Sequence, residues 1–373
     1  MVRGPSFRLR TTASARRSHS VPTMPAPHPA GQTAIQRHRH REQRRLWMLL
    51  TYVGLSLASL VLDVATGPSL LSPGEVVRSL FGWEGRSAMT DAIVWDLRLP
   101  MALMALVVGA ALGAGGAQMQ LLLANPMASP YTLGMAAAAG FGAAATLAFG
   151  GFGLPVLVAV PLGAFVFSML AAGFLLALAS LRRRGGDTII LGGIALLFLF
   201  QSLVSLIQFM SAPELSQQIL FWLFGSLTKA TWLTLSITAG VTTLCCGLLF
   251  RLSWRLAALA MGELRAASLG VNVRALRVEV LAIVAIMTAT ATSFVGVIGF
   301  IGLIAPHIAR MAVGEDQRFH LPASMAAGAL MLSAASVLSK TIVPGSLFPI
   351  GIVTALVGVP FLLWLIFRRP GLS

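Results

Sequence analysis

Residues whose side chains could do chemistry are few in this chain and are scattered among apolar stretches. Asp63 and Glu279 stand at the ends of hydrophobic segments, where carboxylates are typically interfacial rather than part of a proton relay. His307 is a lone imidazole beside a proline, and we expect it to be structural rather than a metal ligand. Cys245 and Cys246 are adjacent within an apolar run and should be packing residues.

Motifs for nucleotide binding and for metalloenzyme chemistry are missing from the sequence. It contains no glycine-rich Walker loop with a lysine and no His-Glu-x-x-His pattern, and its His, Cys and Asp residues form no cluster. We therefore predict no catalysis by this chain and no cofactor or metal bound to it. Because the apolar stretches are nearly free of ionisable groups, an ion-coupled secondary transporter is the less favoured alternative. Energy for transport should come from a partner.

The composition is that of an integral membrane protein. Of 373 residues, 57% are hydrophobic and 10% are charged, with a mean hydropathy of +0.84, whereas soluble domains carry about 25% charged residues. Apolar runs long enough to cross a bilayer as helices recur along almost the whole chain. They predict an all-α polytopic membrane protein with about ten transmembrane helices, at residues 46–65, 93–119, 131–150, 154–181, 188–210, 231–250, 278–299, 300–312, 321–340 and 350–367.

The N-terminal segment differs in composition from the rest of the chain. Residues 1–45 hold ten arginines and a single acid, Glu42, and are rich in Ser, Pro, Thr, Gln and His. Such a segment buries too little apolar surface to fold alone. We predict a disordered basic cytoplasmic tail at 1–45 and a transmembrane domain at 46–370, with the tail against anionic lipid rather than bound to nucleic acid.

Basic residues set the predicted orientation. With ten spans and the N-terminus inside, 22 of the 27 lysines and arginines fall on the cytoplasmic side, as the positive-inside rule requires. Arginines 182–184 and the pair Arg368-Arg369 are among them, and nine spans would move that pair outside. Both termini are therefore predicted to be cytoplasmic.

Three interruptions of the apolar pattern carry structural expectations. The connection after the first span should hold a short interfacial helix, because Pro73 and Glu75 suit a helix start. Residues 251–277 should form two short cytoplasmic helices with a break at residues 270–272. The run 295–302 offers a helix break, and a broken helix at membrane depth must be buried by protein or line a cavity.

Four motif blocks resemble the signature of FecCD-type permeases, the membrane subunits of ABC importers for iron–siderophores, haem and cobalamin. The blocks occur in the family's order, and the resemblance covers about residues 46–367. They read RLP at 98–100, VGAALG at 108–113, GAQMQ at 116–120 and NPMASPYTLG at 125–134; GELRAASLGV at 262–271; GFIGLIAPHIAR at 299–310; and FPIGIVTALVGVPF at 348–361.

The resemblance implies the type II ABC importer permease fold and the partners that go with it. The subunit should pair with a second copy or with a paralogous permease, in a bacterial inner membrane. Two ABC ATPase subunits, which carry the ATP and Mg, should dock inside, and a periplasmic or lipoprotein solute-binding protein should dock outside. The expected cargo is an iron chelate, a ferric siderophore first and haem or cobalamin next.

The resemblance also implies a segment that couples the permease to its ATPase. Residues 255–270 are similar to the family's coupling helices, and a solvated amphipathic loop is the alternative interpretation. The candidate coupling residues are Arg255, Gly262, Glu263, Leu264, Arg265, Ala266, Ser268, Leu269 and Gly270.

Three further sites follow from the family motifs. Arg98 and Lys340 match basic positions that meet acidic residues of the binding protein, although Arg98 could anchor at the interface and Lys340 could extend to the headgroups. Asp187 and Thr188 stand near the family's cytoplasmic gate, where a helix cap is an equal alternative. Candidates for the translocation path are Gln120, Asn125 and Pro126.

The sequence also departs from the family pattern. Ser129 and Ser336 replace common aspartates, Leu347 replaces a common glutamate, and the run 135–139 is less polar than usual. These departures weaken any transfer of cargo identity from the family.

Overall fold

The computed structural model describes residues 29–67, 71–82, 87–180, 186–342 and 347–368. It forms two units, Met1–Gln43 and Arg44–Ser373, and the first is helical over residues 29–43, where it is described. Throughout the described ranges all regular structure is helical. The α-helices are α1 Pro29–Ala65, α2 Pro73–Phe81, α3 Ala88–Asp91, α4 Leu99–Leu122, α5 Met135–Ala148, α6 Val156–Ser180, α7 Gly186–Met210, α8 Pro213–Leu223, α9 Trp232–Arg251, α10 Ser253–Ala260, α11 Glu263–Ser268, α12 Val273–Val295, α13 Ile301–Val313, α14 Gln317–Thr341 and α15 Ile350–Arg368.

Among the described residues, ten apolar helices account for the predicted membrane spans. Seven are long and apolar enough to cross a bilayer, namely Glu42–Ala65, Ala88–Leu122, Val156–Ser180, Gly186–Met210, Trp232–Arg251, Val273–Val295 and Gln317–Thr341. Three are shorter, namely Met135–Ala148, Ile301–Val313 and Ile350–Trp364. The expected all-α polytopic fold with about ten helices is therefore confirmed.

The first helix begins earlier than the sequence predicted. Helix α1 starts at Pro29, so residues 29–45, which we expected to be disordered, are helical. Proline suits a first helical turn, and the Gln, Arg and Glu residues that follow are good helix formers. Residues 1–28 of the predicted tail lie outside the described residues, as do arginines 182–184 and Arg369.

Helix α4 is packed against several neighbours through its glycines. A Cβ atom built on Gly109 would lie 2.3 Å from the carbonyl oxygen of Gly328 in α14. One built on Gly116 would lie 1.7 Å from the carbonyl oxygen of Gly302 in α13. Small residues allow this approach of helix backbones, and van der Waals packing then drives association in lipid. These glycines therefore serve helix packing.

The predicted break between α12 and α13 is present at residues 296–300. Gly296 and Phe300 both have positive φ angles, of 76° and 67°, and the second is rare for a bulky residue. The backbone amide of Ser226 donates to the carbonyl of Val295 at 2.8 Å, so part of the interrupted backbone is bonded to another segment of the protein. Backbone interrupted at membrane depth requires such partners.

Two short helices outside the spans show what local sequence could and could not indicate. Helix α2 starts as predicted, with Ser72 and Glu75 forming a reciprocal capping box. Hydrogen bonds from the backbone amide and hydroxyl of Ser72 hold the pKa of Glu75 below its usual value. Helix α8, Pro213–Leu223, was not predicted, because its eleven residues mix polar and apolar types.

Helices α1 and α14 run side by side in the same direction and are joined by polar contacts. Arg45 Nη1, near the middle of α1, lies 3.0 Å from Asp316 Oδ2 at the start of α14. Further along, the hydroxyls of Ser59 and Ser333 are 2.8 Å apart. Residue numbers rise together along the pair, so the helices are parallel. A ten-span topology requires this of its first and ninth spans.

Candidate functional site

The loop between α9 and α12 (residues 252–272, the α9–α12 loop) folds as two short helices joined and followed by glycines. Gly262 has φ +103° and ψ 151°, a conformation that is essentially restricted to glycine. Gly270 has φ +81°, and a Cβ atom on either glycine would meet nothing within 4 Å. The glycines are therefore required by backbone conformation rather than by crowding, and they fix the angle at which α11 projects. The predicted break at residues 270–272 is present.

Large apolar side chains project outward from the α9–α12 loop. Leu264 is 89% exposed, and three others are more than half exposed: Trp254, Met261 and Leu269. The loop lies between two candidate spans, Trp232–Arg251 and Val273–Val295, so it is outside the segments that lipid would cover. Exposed apolar residues of this kind are typical of surfaces that contact a protein, a membrane or a ligand.

The opposite face of the same loop is anchored in the protein core. Leu256, Leu259, Ala266 and Val271 are buried in the apolar cluster that also contains the end of α4. Among the candidate coupling residues, Arg265, Ser268 and Leu269 are exposed, whereas the small side chain of Ala266 is buried. The loop is thus packed on the core through one face and exposed on the other.

Two ion pairs connect the α9–α12 loop to α12. Arg277 Nη2 bonds to Glu263 Oε1, and Arg277 Nε lies 3.5 Å from the carbonyl oxygen of Leu122 at the end of α4. Arg255 Nη1 lies 3.6 Å from Glu279 Oε2, with both side chains 47% exposed. The first pair is partly buried and bridges three segments, whereas the second is exposed to solvent.

The end of α4 approaches the start of α7. The residues that flank this approach, Asn125, Pro126, Asp187 and Thr188, are called the α4–α7 cluster. The Asn125 side chain accepts a hydrogen bond from the Met127 amide at 2.8 Å, which holds the turn after α4. A Cβ atom on Gly186 would lie 3.1 Å from the carbonyl oxygen of Leu123. The end of α4 therefore contacts the start of α7, while the gate role of Asp187 and Thr188 and the path role of Asn125 and Pro126 stay predictions.

The connection from α4 to α5 extends beyond this cluster along α7. A Cβ atom on Gly134, the residue before α5, would lie 2.7 Å from the backbone nitrogen of Leu197. Leu197 is about 16 Å along α7 from Gly186, roughly half the thickness of a bilayer core. Non-helical backbone of the α4–α5 connection therefore reaches mid-depth, which is tolerated where protein buries it or where it lines a cavity.

Gln120, the third predicted path residue, lies inside the protomer instead. It is buried, its Nε2 donates to the carbonyl of Leu303 at 3.1 Å, and its Oε1 is 3.5 Å from Arg310 Nη2. These bonds attach α4 to α13. A path contact by Gln120 is not available in this arrangement, because its polar atoms are engaged within the bundle.

A polar stripe on α7 was missed by the sequence reasoning. Gln201, Ser202 and Ser205 are exposed in the second half of α7, Gly186–Met210, where most residues are apolar. Polar side chains facing lipid are costly, so such a face requires a protein partner or water beside it. The spacing of these residues on one side of a predicted span was the signal that could have identified them.

The side chain of Lys340 lies in the interior of the protein. It is 3% exposed, and its Nζ donates to Oδ1 and to the carbonyl oxygen of Asp63, at 2.8 and 3.0 Å. Ser336, which stands at a family aspartate position, donates to the same Oδ1 at 2.9 Å. The binding-protein contact of Lys340 stays a prediction, and the partners that the structure shows for its ammonium all belong to this chain.

The side chain of Arg98 is also bonded within this chain. The side chain is buried, and its Nη1 donates to the carbonyl oxygens of Val64 and Ala65 at 3.1 and 3.0 Å. Together Arg98 and Lys340 bind three successive carbonyls at the end of α1. Cations placed there satisfy unbonded carbonyls and complement the negative end of the helix dipole.

Groups suited to metal chemistry do not converge within the part of the chain that the structure describes. Three or more His, Cys, Asp or Glu residues never lie close enough there to hold a metal ion. His307 is buried, and the adjacent Cys245 and Cys246 are unbridged and buried, with Cys246 Sγ 3.9 Å from Met287 Sδ.

Known proteins resemble this chain over almost all of its transmembrane part. The family model of the FecCD transport family matches residues 55–368. The hemin transport system permease of Yersinia pestis is 35% identical over 78% of this chain and 88% of its own length. The vitamin B12 import system permease of Serratia proteamaculans is 32% identical over 91% and 98%. A solved metal-chelate type ABC transporter in an inward-facing conformation superposes with a TM-score of 0.75 at 29% identity, covering 86% of this chain and 99% of that one. The chain belongs to the FecCD transport family.

Proposed function

We propose that this chain is the membrane permease subunit of an ATP-driven importer, with the α9–α12 loop as the surface on which a separate ATPase docks. The observation that carries the proposal is the exposed apolar surface around Leu264, on a loop anchored in the core and outside the candidate spans. A partner that covers Leu264 and Leu269 would move the loop, and movement of the loop is what coupling to ATP requires.

The translocation path is assigned to the polar face of α7 together with the α4–α7 cluster. A second permease copy or a paralogue would cover Gln201, Ser202 and Ser205 and enclose a water-filled route between the two chains. The α4–α7 cluster would close one end of that route, with Asp187 exposed and Thr188 half-buried. If the arginine-bearing α9–α12 loop is cytoplasmic, both termini lie on the cytoplasmic side of a bacterial inner membrane.

The cargo is proposed to be an iron chelate, with a ferric siderophore first and haem or cobalamin next. The similarity to a hemin permease, a vitamin B12 permease and a metal-chelate transporter supports this class of large chelates. A binding protein on the outer side would deliver the cargo, and the ATP and Mg would be held by the ATPase. The path itself would bind cargo weakly, since affinity would reside in the binding protein.

A reconstitution experiment tests the assignment. The chain, purified with its ATPase and binding protein in proteoliposomes, should take up a ⁵⁵Fe-labelled siderophore, haemin or cobalamin only when ATP is supplied. The double variant Leu264→Ser/Leu269→Ser should lower ATPase co-purification at least tenfold. Met89→Ser, which changes an apolar side chain that is 75% exposed elsewhere, is the matched control and should retain binding.

Two other outcomes would contradict the proposed function. Uptake that continues without any ATPase and collapses with a protonophore would establish an ion-coupled secondary transporter. An ATPase complex indifferent to both leucine substitutions would place the coupling surface elsewhere on the chain.

A further inference from the structure

Arg277 on α12 joins the α9–α12 loop to the end of α4. Its guanidinium bonds to Glu263 of α11 on one side and approaches the carbonyl oxygen of Leu122 on the other, at 3.5 Å from Nε. We propose that Arg277 is a positioning residue that transmits movement of the α9–α12 loop to the α4–α7 cluster. The proposal rests on the function proposed above and names the link between its docking surface and its gate.

The outer contact of Arg277 is placed where a docked partner would act. Glu263 is the first residue of α11, and its side chain is 59% exposed, whereas that of Arg277 is 9% exposed. Leu264, the most exposed of the loop's large apolar residues, follows directly along the chain. A partner that presses on α11 therefore displaces the carboxylate to which Arg277 is bonded.

The inner contact of Arg277 lies in a tightly packed region. Ala266 and Val271 of the loop share one apolar cluster with Leu122 and Leu123. Close-packed interiors transmit displacement instead of absorbing it. The guanidinium adds a directional polar link to this contact, because a planar group with several N–H donors can hold a carboxylate and a carbonyl at fixed angles.

The end of α4 in turn contacts the α4–α7 cluster. The carbonyl oxygen of Leu123 would be 3.1 Å from a Cβ atom on Gly186, so the two backbones are separated by little more than van der Waals distance. Asp187 and Thr188 follow Gly186 in the first turn of α7. A shift of Leu122 and Leu123 therefore changes the position of both proposed gate residues.

A second ion pair supplies an internal comparison. Arg255 and Glu279 also join the α9–α12 loop to α12, but at 3.6 Å and with both side chains 47% exposed. No hydrogen bond from Glu279 to α4 is found among the described residues. If any ion pair between the loop and α12 could transmit movement to the gate, loss of either pair would have the same effect. We expect an effect only from loss of the Arg277 pair.

The test measures gate movement directly. In a Cys245→Ser/Cys246→Ser background, Thr188→Cys is labelled with an impermeant maleimide in inside-out vesicles that contain the full complex, with and without ATP and vanadate. Arg277→Gln and Glu263→Gln should each reduce the nucleotide-dependent change in labelling rate at least fivefold when the complexes are compared at matched ATPase occupancy. Glu279→Gln should leave the labelling change intact.

The double variant separates transmission from simple destabilisation. Arg277→Gln with Glu263→Gln should be no worse than the more severe single variant, because both remove one link. Additive losses, or full nucleotide-dependent labelling in either single variant, would overturn the proposal. If Arg277→Gln does not assemble, the labelling change in Glu263→Gln, whose side chain is exposed, tests the proposal instead. Failure of the unmodified chain to bind any ATPase would instead refute the proposed function.

Discussion

Asp63 and Lys340 form a buried ion pair between α1 and α14, with Lys340 Nζ 2.8 Å from Asp63 Oδ1. A basic residue near the end of a span predicts a docking site, and no local pattern pairs Lys340 with a carboxylate 277 residues earlier. The Ser336 departure from the family aspartate belongs to the same pair, since its hydroxyl supports Asp63. Local sequence could indicate that these residues matter, but only tertiary structure could place them inside.

Removal of the Lys340 charge should therefore destabilise the protein. Lys340→Met leaves Asp63 as an uncompensated buried carboxylate, which costs about 3–5 kcal/mol, and the midpoint of thermal unfolding in detergent should fall accordingly. The double variant Asp63→Asn/Lys340→Met should recover much of the loss. Unchanged stability with a specific loss of binding-protein affinity would instead support the docking role.

Helices were predicted better than the connections that end them. Long apolar runs identified the spans, and Pro73 with Glu75 identified α2, because these signals are local. The shortness of α5 could not be predicted, since the apolar pattern continues through residues 131–150 while the backbone of the connection bends until Gly134. Its bend depends on contacts with α7, which sequence spacing does not encode.

Close approach between helices gives a prediction at this scale. Gly109→Ala should lower stability by about 1–3 kcal/mol through overpacking, because the added Cβ atom would meet a backbone oxygen of α14. Gly240→Ala in α9 is the matched control, since a Cβ atom there meets nothing within 4 Å. Equal effects of the two substitutions on the unfolding midpoint would argue against backbone packing as the cause.

The whole molecule leaves a polar face on α7 uncovered, and this face specifies where another chain should lie. The fold class and family of the protein could be recognised from the order of its motifs. Knowledge of side-chain burial was needed to distinguish the exposed polar residues of α7 from the buried Gln120. The proposed translocation path therefore depends on which polar side chains are exposed on the surface of the helical bundle.

A cross-linking experiment tests the paired arrangement. With Cys245 and Cys246 replaced by serine, Ser202→Cys should form a cross-link between two copies of the permease in membranes, or to a cysteine placed at the matching position of a paralogous partner. Leu157→Cys on α6, 84% exposed, should not. Cross-links at both positions would indicate random collision, and a cross-link at position 157 alone would move the interface to α6.

The parallel attachment of α1 to α14 also constrains biosynthesis. Asp63 is made 277 residues before Lys340, an interval on the order of tens of seconds at ordinary translation rates. During that time the first span carries a carboxylate without its eventual counter-ion, and Arg98 arrives early enough to hold only the carbonyls beyond it. Until the ninth helix enters the membrane and completes the pair, this carboxylate has to be hydrated, protonated or shielded by the insertion machinery.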